Sequence, residues 1–360
     1  MRKTCGIIFL LPGAGRFTRT VFVLTVITLL ITLSSCKSAG IASQRKNLIQ
    51  SSISKKIPVK LDTDIGCDID DTSALIFLLN SPEFDIKLIT TSVGNTKAKT
   101  KIVAKLLEIA NRTDIPIGTG PATKGTIVHQ QAWVEDYDLS SYPGKIYNDG
   151  VKALVDTIMN AAEPIKLIAI GPLPNISAAL ELQPRITENA EFVGMHGSIR
   201  IGYVGRSKPI PEWNVFSFPK EAQKVFTADW DMTITPLDTC GLVYFEGERY
   251  KKIYNSDNPL AKAFIENYRV WMEYPWDPPI TIHPDRIRGF NVETKSTTLF
   301  DEVAVYLAIS TEFLKMEKLG IRVTNDGYTV IDDNARKINC ATYWKDMEAY
   351  KDFVVERIIK

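Results

Sequence analysis

From residue 57 onward, short runs rich in β-branched residues alternate with longer stretches in which apolar positions recur every three or four residues. The short runs predict strands and the longer periodicity predicts helices. Strands are expected at 57–61, 86–92, 115–118, 165–170, 191–195 and 232–236, and helices at 71–80, 97–111, 150–161, 175–182 and 219–228. Such alternation predicts a single α/β domain with a mainly parallel sheet flanked on both faces by helices. Two long polar and aromatic stretches, 121–149 and 255–298, interrupt it. In a compact α/β fold, loops of that length are expected to be lids or binding loops, and ligands bind beyond the carboxyl ends of the strands.

The N-terminal pattern differs. Arg2, Lys3, Arg16 and Arg19 precede an uncharged run at 21–33 rich in Val, Leu and Ile. The run is shorter than the roughly 20 residues a bilayer span requires, and its basic flank and following small residues fit a secretory signal. It ends in Leu33-Ser34-Ser35-Cys36, which resembles the lipobox of bacterial lipoproteins, where the cysteine is lipidated and becomes the mature N-terminus. An ordinary signal peptide or an uncleaved anchor is the alternative, and each of the three takes the folded part out of the cytoplasm. The polar segment 41–56 reads as a tether. The expected organisation is a signal peptide at 1–35, a tether at 36–56 and an α/β domain at 57–360.

Composition changes little in this picture. With 45% hydrophobic residues, 24% charged residues and a formal charge of +1, the chain has ample material for a core and no mark of a nucleic-acid partner. Once Cys5 and Cys36 are set aside, Cys67, Cys240 and Cys340 are an odd number and imply no disulfide framework. No histidine lies near Cys67 in sequence, so it reads as a buried thiol rather than a nucleophile.

The chemistry concentrates just after the first strand, where Asp62, Asp64, Asp68, Asp70 and Asp71 fall within ten residues. Carboxylates that close repel, so some must stay protonated or share a cation. An EF-hand needs a glutamate at the twelfth loop position, which counted from Asp62 is Ser73. A phosphatase of the haloacid dehalogenase type would use Asp62-Thr63-Asp64 with Asp62 as nucleophile, leaving Gly66 atypical and three aspartates unexplained. Simple capping of the following helix stabilises each charge by only about 0.3–1 kcal/mol, weak compensation for five neighbours.

The stretch resembles the N-terminal signature of the inosine-uridine type of nucleoside hydrolase: Asp-x-Asp, a Gly, then Asp-Asp before a helix, here with two extra residues before the Asp pair. Four later segments resemble the same family in the same order. They are Gly94-Asn95 after a strand; Gly171-Pro172-Leu173-Pro174-Asn175 at a strand-turn-helix; Glu212-Trp213-Asn214; and Phe300-Asp301. Three positions depart from the pattern, with Pro174 in place of a Thr, Arg206 in place of an Asn, and Phe300 in place of a His. The resemblance spans roughly residues 57–318.

It implies a set of roles. Asp64 would be general base and calcium ligand, with Asp71, Asp301 and the backbone carbonyl of Pro174 completing the protein's share of the calcium site. Asn95 would lie beside the attacking water, and Asp70, Glu212, Asn214 and the Arg206 position would meet the sugar. Asp62 and Asp68 are left to support the loop. An all-oxygen set suits a hard cation such as Ca2+, and no Cys or His spacing suggests zinc. The implied reaction is hydrolysis of the N-glycosidic bond of a ribonucleoside through an oxocarbenium-like transition state, with Asp64 taking a proton from water.

Phe300 cannot protonate the leaving base. Of the three histidines, His129, His196 and His283, His196 follows the strand at 191–195 and is either the donor or a polar packing residue. His283 lies in the second long stretch with Tyr268, Trp271, Tyr274 and Trp276, aromatics that either stack on a base or cover the domain. Tyr274 is another candidate acid. The expected partners are a small-molecule nucleoside and a membrane reached through the lipid anchor, and a homo-oligomer is compatible with the pattern. A non-catalytic nucleoside-binding lipoprotein is the competing class of reading, against which Asp64 and Asn95 count, since a pure binder has no use for a base.

Overall fold

The computed structural model describes residues 55–275, 289 and 291–360. Its strands are β1 (Ile57–Thr63), β2 (Phe84–Thr91), β3 (Ile117–Thr119), β4 (Ile146–Tyr147), β5 (Ile165–Ala169), β6 (Ala190–Met195), β7 (Met232–Thr235), β8 (Leu314–Val323), β9 (Thr329–Ile331) and β10 (Lys337–Trp344). Among the helices are α1 (Asp70–Leu79), α2 (Thr96–Ile109), α3 (Gly150–Met159), α4 (Pro174–Leu182), α5 (Trp213–Phe216), α6 (Pro219–Thr227), α7 (Pro259–Glu273) and α8 (Glu302–Leu307). The expected α/β class is the observed one. The strands form one sheet in the order β4-β3-β2-β1-β5-β6-β7-β10-β8-β9. Pairings from β4 through β10 are parallel, and β8 runs antiparallel to β10 and β9.

β1 is central because its last five residues are buried, as a strand covered on both faces requires. Strand alternation sorts side chains into two cores. In β6, Val193 and Met195 join the core that contains α1, α7 and α8, and Phe192 joins the one that contains α3, α4 and α6. α1 is buried from Asp70 to Leu78, so it is enclosed by protein and carries its two leading aspartates inward.

Two expectations need correcting. The stretch 255–298 is not one long loop, because it opens with the 15-residue helix α7. Asn258 Oδ1 caps it by accepting from Leu260 N at 2.8 Å and Ala261 N at 3.2 Å, and Leu260, Ala261, Phe264, Ile265, Tyr268 and Trp271 bury one face. Tyr268 and Trp271 are therefore core residues covering the domain rather than base-stacking ones. The sequence pattern also names no strand after β7, whereas the structure adds β8 to β10. β8 interleaves the exposed Lys315, Lys318 and Arg322 with few fully buried positions, which hides its period. Cys36, Trp276 and His283 lie outside the described residues.

Candidate active site

β1 runs two residues further than its pattern suggests and delivers the aspartates in sequence. Asp62 belongs to the sheet itself. Its carboxylate accepts from Lys60 Nζ at 3.0 Å, from Asn175 Nδ2 at 3.0 Å and from Thr90 Oγ1, all of them buried. A carboxylate held in that way beneath the surface cannot attack a phosphate, so the phosphatase reading falls. Asp68 Oδ1 accepts from Ile69 N at 2.7 Å. Asp62 thus ties β1 to β2 and α4 rather than supporting the loop, and Asp68 bonds within the loop.

Asp64 is the first residue past the strand and is 5% exposed. Lys99, fully buried on α2, donates through Nζ to the Asp64 backbone oxygen and to Cys67 Sγ at 3.0 Å. The strand-turn-helix segment presses against Asp64 from β5, where a Cβ on Gly171 would lie 2.6 Å from Asp64 Oδ1. The turn to α1 passes through Gly66 at φ +99°, a left-handed conformation that suits glycine. Its outer side is pinned by Trp271 Nε1, which donates to Cys67 O at 3.1 Å, and by Gln130 Nε2, which donates to Asp68 O.

Asp70 and Asp71 open α1, and Asp301 immediately precedes α8. Each offers a carboxylate oxygen, and the three oxygens lie within 4.8 Å of one another. Thr63 Oγ1 donates to Asp71. Burial raises all four carboxyl pKa values, those of Asp64, Asp70, Asp71 and Asp301. Mutual repulsion adds to the effect, most clearly at Asp301, which faces Asp70, Asp71 and Asp64. The ammonium of Lys99 opposes the rise at Asp64 and Asp71. Close-set, buried, unneutralised oxygens from two distant parts of the chain fit a hard cation. Asp70, expected at the sugar, is thus also within reach of that cluster.

Of the residues expected around the sugar, Glu212 caps α5 and is 2% exposed, accepting from Asn214 N at 2.7 Å, Gly197 N at 2.9 Å and Val215 N at 3.3 Å. Burial outweighs those bonds and pushes its carboxyl up to about 7. Asn214 Nδ2 donates to Ile170 O at 3.1 Å and Met195 O at 3.0 Å, clamping the ends of β5 and β6. Asn95 is exposed, and its Oδ1 caps α2 by accepting from Ala98 N at 3.1 Å. Its side-chain oxygen serves a helix end rather than the carboxylate cluster. Arg206 is exposed on a loop, and Pro174 is the first residue of α4.

His196 as the proton donor is corrected. Strand alternation turns it, with Phe192, away from the carboxylates, and it is fully buried against Phe192 and Phe226. Nε2–H donates to Gly171 O at 3.1 Å and Nδ1 has no partner. Burial depresses its pKa to about 3, so it stays neutral at ordinary pH and has no proton to spare. Phe300 is 5% exposed and meets the Tyr203 ring edge-on. Tyr274 packs edge-on against His129, with ring centroids 4.7 Å apart.

Sequence reasoning missed Lys99 and Tyr203, and it did not foresee the contacts that Thr63 and Gly171 make with the aspartates. Lys99 sits among Lys97 and Lys101 and looks like one of a row of solvated charges; only the packing of α2 shows that it points inward.

Comparison with known proteins bears on the family and the fold. The family model described as inosine-uridine preferring nucleoside hydrolase matches residues 59–357. A probable uridine nucleosidase 2 of Arabidopsis thaliana is 28% identical over 304 residues, covering 81% of this chain and 90% of that protein. A non-specific ribonucleoside hydrolase of Klebsiella pneumoniae is 30% identical over 228 residues, covering 59% of this chain and 73% of its own. Among solved structures, a plant nucleoside hydrolase superposes with a TM-score of 0.71 at 22% identity, covering 85% of this chain and 99% of that one.

Proposed function

The chain belongs to the inosine-uridine preferring nucleoside hydrolase family, and from that premise we propose that it is a calcium-dependent enzyme releasing free base and ribose from ribonucleosides. The observation that carries the reading is the convergence of Asp70, Asp71 and Asp301 within 4.8 Å, with Asp64 beside the Gly171 turn. Asp64, Asp71, Asp301 and the Pro174 carbonyl would hold Ca2+. When bound, the ion would offset the clustered negative charge and make a water easier to deprotonate.

The chain's own residues do the rest. The Asp64 carboxylate takes a proton from the attacking water, held in place by Lys99 on its backbone oxygen and by the close approach of Gly171. Asp70, Glu212 and Asn214 orient the ribose, with Asn214 fixed by its bonds to the ends of β5 and β6. Asn95 keeps the role of helix cap. For localisation, the run at 21–33 and Cys36 support an exported, lipid-anchored protein, with 1–35 removed and 36–56 as tether.

The test is a panel of ribonucleosides and p-nitrophenyl riboside, with and without chelator, read by reducing-sugar release. Sugar release that a chelator abolishes and Ca2+ restores is expected. Asp64→Ala should lower that release at least about 100-fold, the scale of a lost general base. Unchanged turnover in Asp64→Ala would sink the assignment.

A further inference from the structure

On the hydrolase reading, on which this inference rests, the carboxylate cluster supplies a base and a clamp but no donor for the departing nucleobase. Phe300 stands directly before Asp301 without a proton to give, and His196 is buried on the other face of the sheet. His129 Nδ1 lies 2.6 Å from Cys67 O.

Tyr203 lies against Phe300. The two rings meet edge-on, with centroids 5.7 Å apart and planes at 87°. At the other end of the ring, Tyr203 Oη accepts the backbone N–H of Trp213 at 2.9 Å. Trp213 is the residue between Glu212 and Asn214, so the phenol bridges the Phe300 side of the site and the sugar-side turn. A phenol can accept one hydrogen bond and still donate its own proton. Among the described residues, the Trp213 bond is the only one this hydroxyl makes, which leaves that proton uncommitted.

The backbone holds the residue in place. Gly202 N donates to Arg206 O at 2.8 Å, and Arg206 N donates to Tyr203 O at 3.2 Å. The turn between them runs through Val204 at φ +54° and Gly205 at φ +80°. A β-branched residue in the left-handed region persists only where its surroundings enforce it. Here the enforced turn presents the tyrosine.

We propose that Tyr203 donates the proton to the leaving base, in the role a histidine at position 300 would take. As the C1′–N bond breaks, its electron pair moves onto the base and the Tyr203 Oη–H proton passes to a base nitrogen. Water adds OH to C1′ and gives its other proton to Asp64. Exchange with solvent then returns a proton from Asp64 to the phenolate, so one water is consumed and the enzyme is restored. A phenol at its ordinary pKa of about 10 is protonated at neutral pH, so the proton is present when the substrate arrives.

The test is Tyr203→Phe in the full chain, which keeps the ring against Phe300 and removes only the hydroxyl. Rates are compared on inosine, on uridine and on p-nitrophenyl riboside, whose leaving group departs without a proton. General acid catalysis contributes about 100-fold or more, so a loss of about that size on both nucleosides is expected. The loss on the nitrophenyl riboside should stay within about threefold. Equal retention on all three substrates overturns the proposal. Parallel loss on all three also overturns it, since that marks a folding or positioning role. If the unmodified protein cleaves the nitrophenyl riboside but no nucleoside, Tyr203 is not a working donor. If it cleaves neither, the hydrolase reading itself fails and the role of Tyr203 fails with it.

Discussion

At the scale of single residues, the site is a problem of charge before it is one of catalysis. Asp64, Asp70, Asp71 and Asp301 all have folded-state pKa values above their ordinary ones because burial disfavours the ionised form. Glu212 adds a carboxyl raised to about 7. A raised carboxyl pKa means that the native state holds more protons than the unfolded chain. Its stabilising contribution is fully present below about pH 4 and is lost as the pH rises through the folded-state value. The cation-free protein should therefore lose melting temperature between about pH 5 and pH 8. Saturating Ca2+ should remove most of that fall, because an ion that binds only the native state offsets the repulsion. Melting curves across that range, with chelator and with Ca2+, check this, and an identical fall in both series would count against the clamp. His196 has the opposite sign. Its pKa of about 3 lies below the unfolded value, so its contribution is present above about pH 6.5 and is lost towards acid.

At the scale of elements, the site is assembled by three strand ends and the turns that leave them. β1 supplies Asp64. β5 ends in the turn at Gly171, and β6 is joined to β5 through Asn214. Asp62, Lys60, Thr90 and Asn175 form a buried polar network that ties β1, β2 and α4 together just beneath this rim. Gly171 sets the spacing between two of these elements, since an added Cβ would lie 2.6 Å from Asp64 Oδ1 and 2.9 Å from its backbone nitrogen. Gly171→Ala must push β1 and β5 apart or rotate Asp64. Misplacement of a reacting group by an ångström costs on the order of 100-fold in rate. Ribose release from the variant should fall by about that factor while its circular dichroism stays native; retained activity would show that the turn tolerates movement. α7 contributes from outside, with Trp271 donating to Cys67 O and so fixing the outer arm of the carboxylate loop.

At the scale of the whole molecule, residues Lys56–Lys360 form one compact unit, and the family match covers 59–357 within it. The proposed lipid anchor predicts that the full chain expressed in bacteria fractionates with membranes and takes up labelled fatty acid. Cys36→Ala should abolish the labelling, and labelling that survives the substitution would remove the assignment. Fold class was legible from the sequence because strand and helix periods are local properties, and the alternation of the two periods already implies a parallel sheet. The meeting of Asp71 with Asp301 was legible only through a resemblance between separated segments. Periodicity alone does not say which strand ends meet. What only the tertiary structure decided is the direction of individual side chains. A lysine among lysines proved to be buried against Asp64, and a histidine at a strand end proved to point into the opposite core. A tyrosine on an irregular turn came to stand between Phe300 and the Glu212–Asn214 turn. Composition and spacing specify which groups are available along the chain, but burial and hydrogen bonding are set by contacts between residues far apart in it. Those contacts decide which groups keep, lose or share a proton.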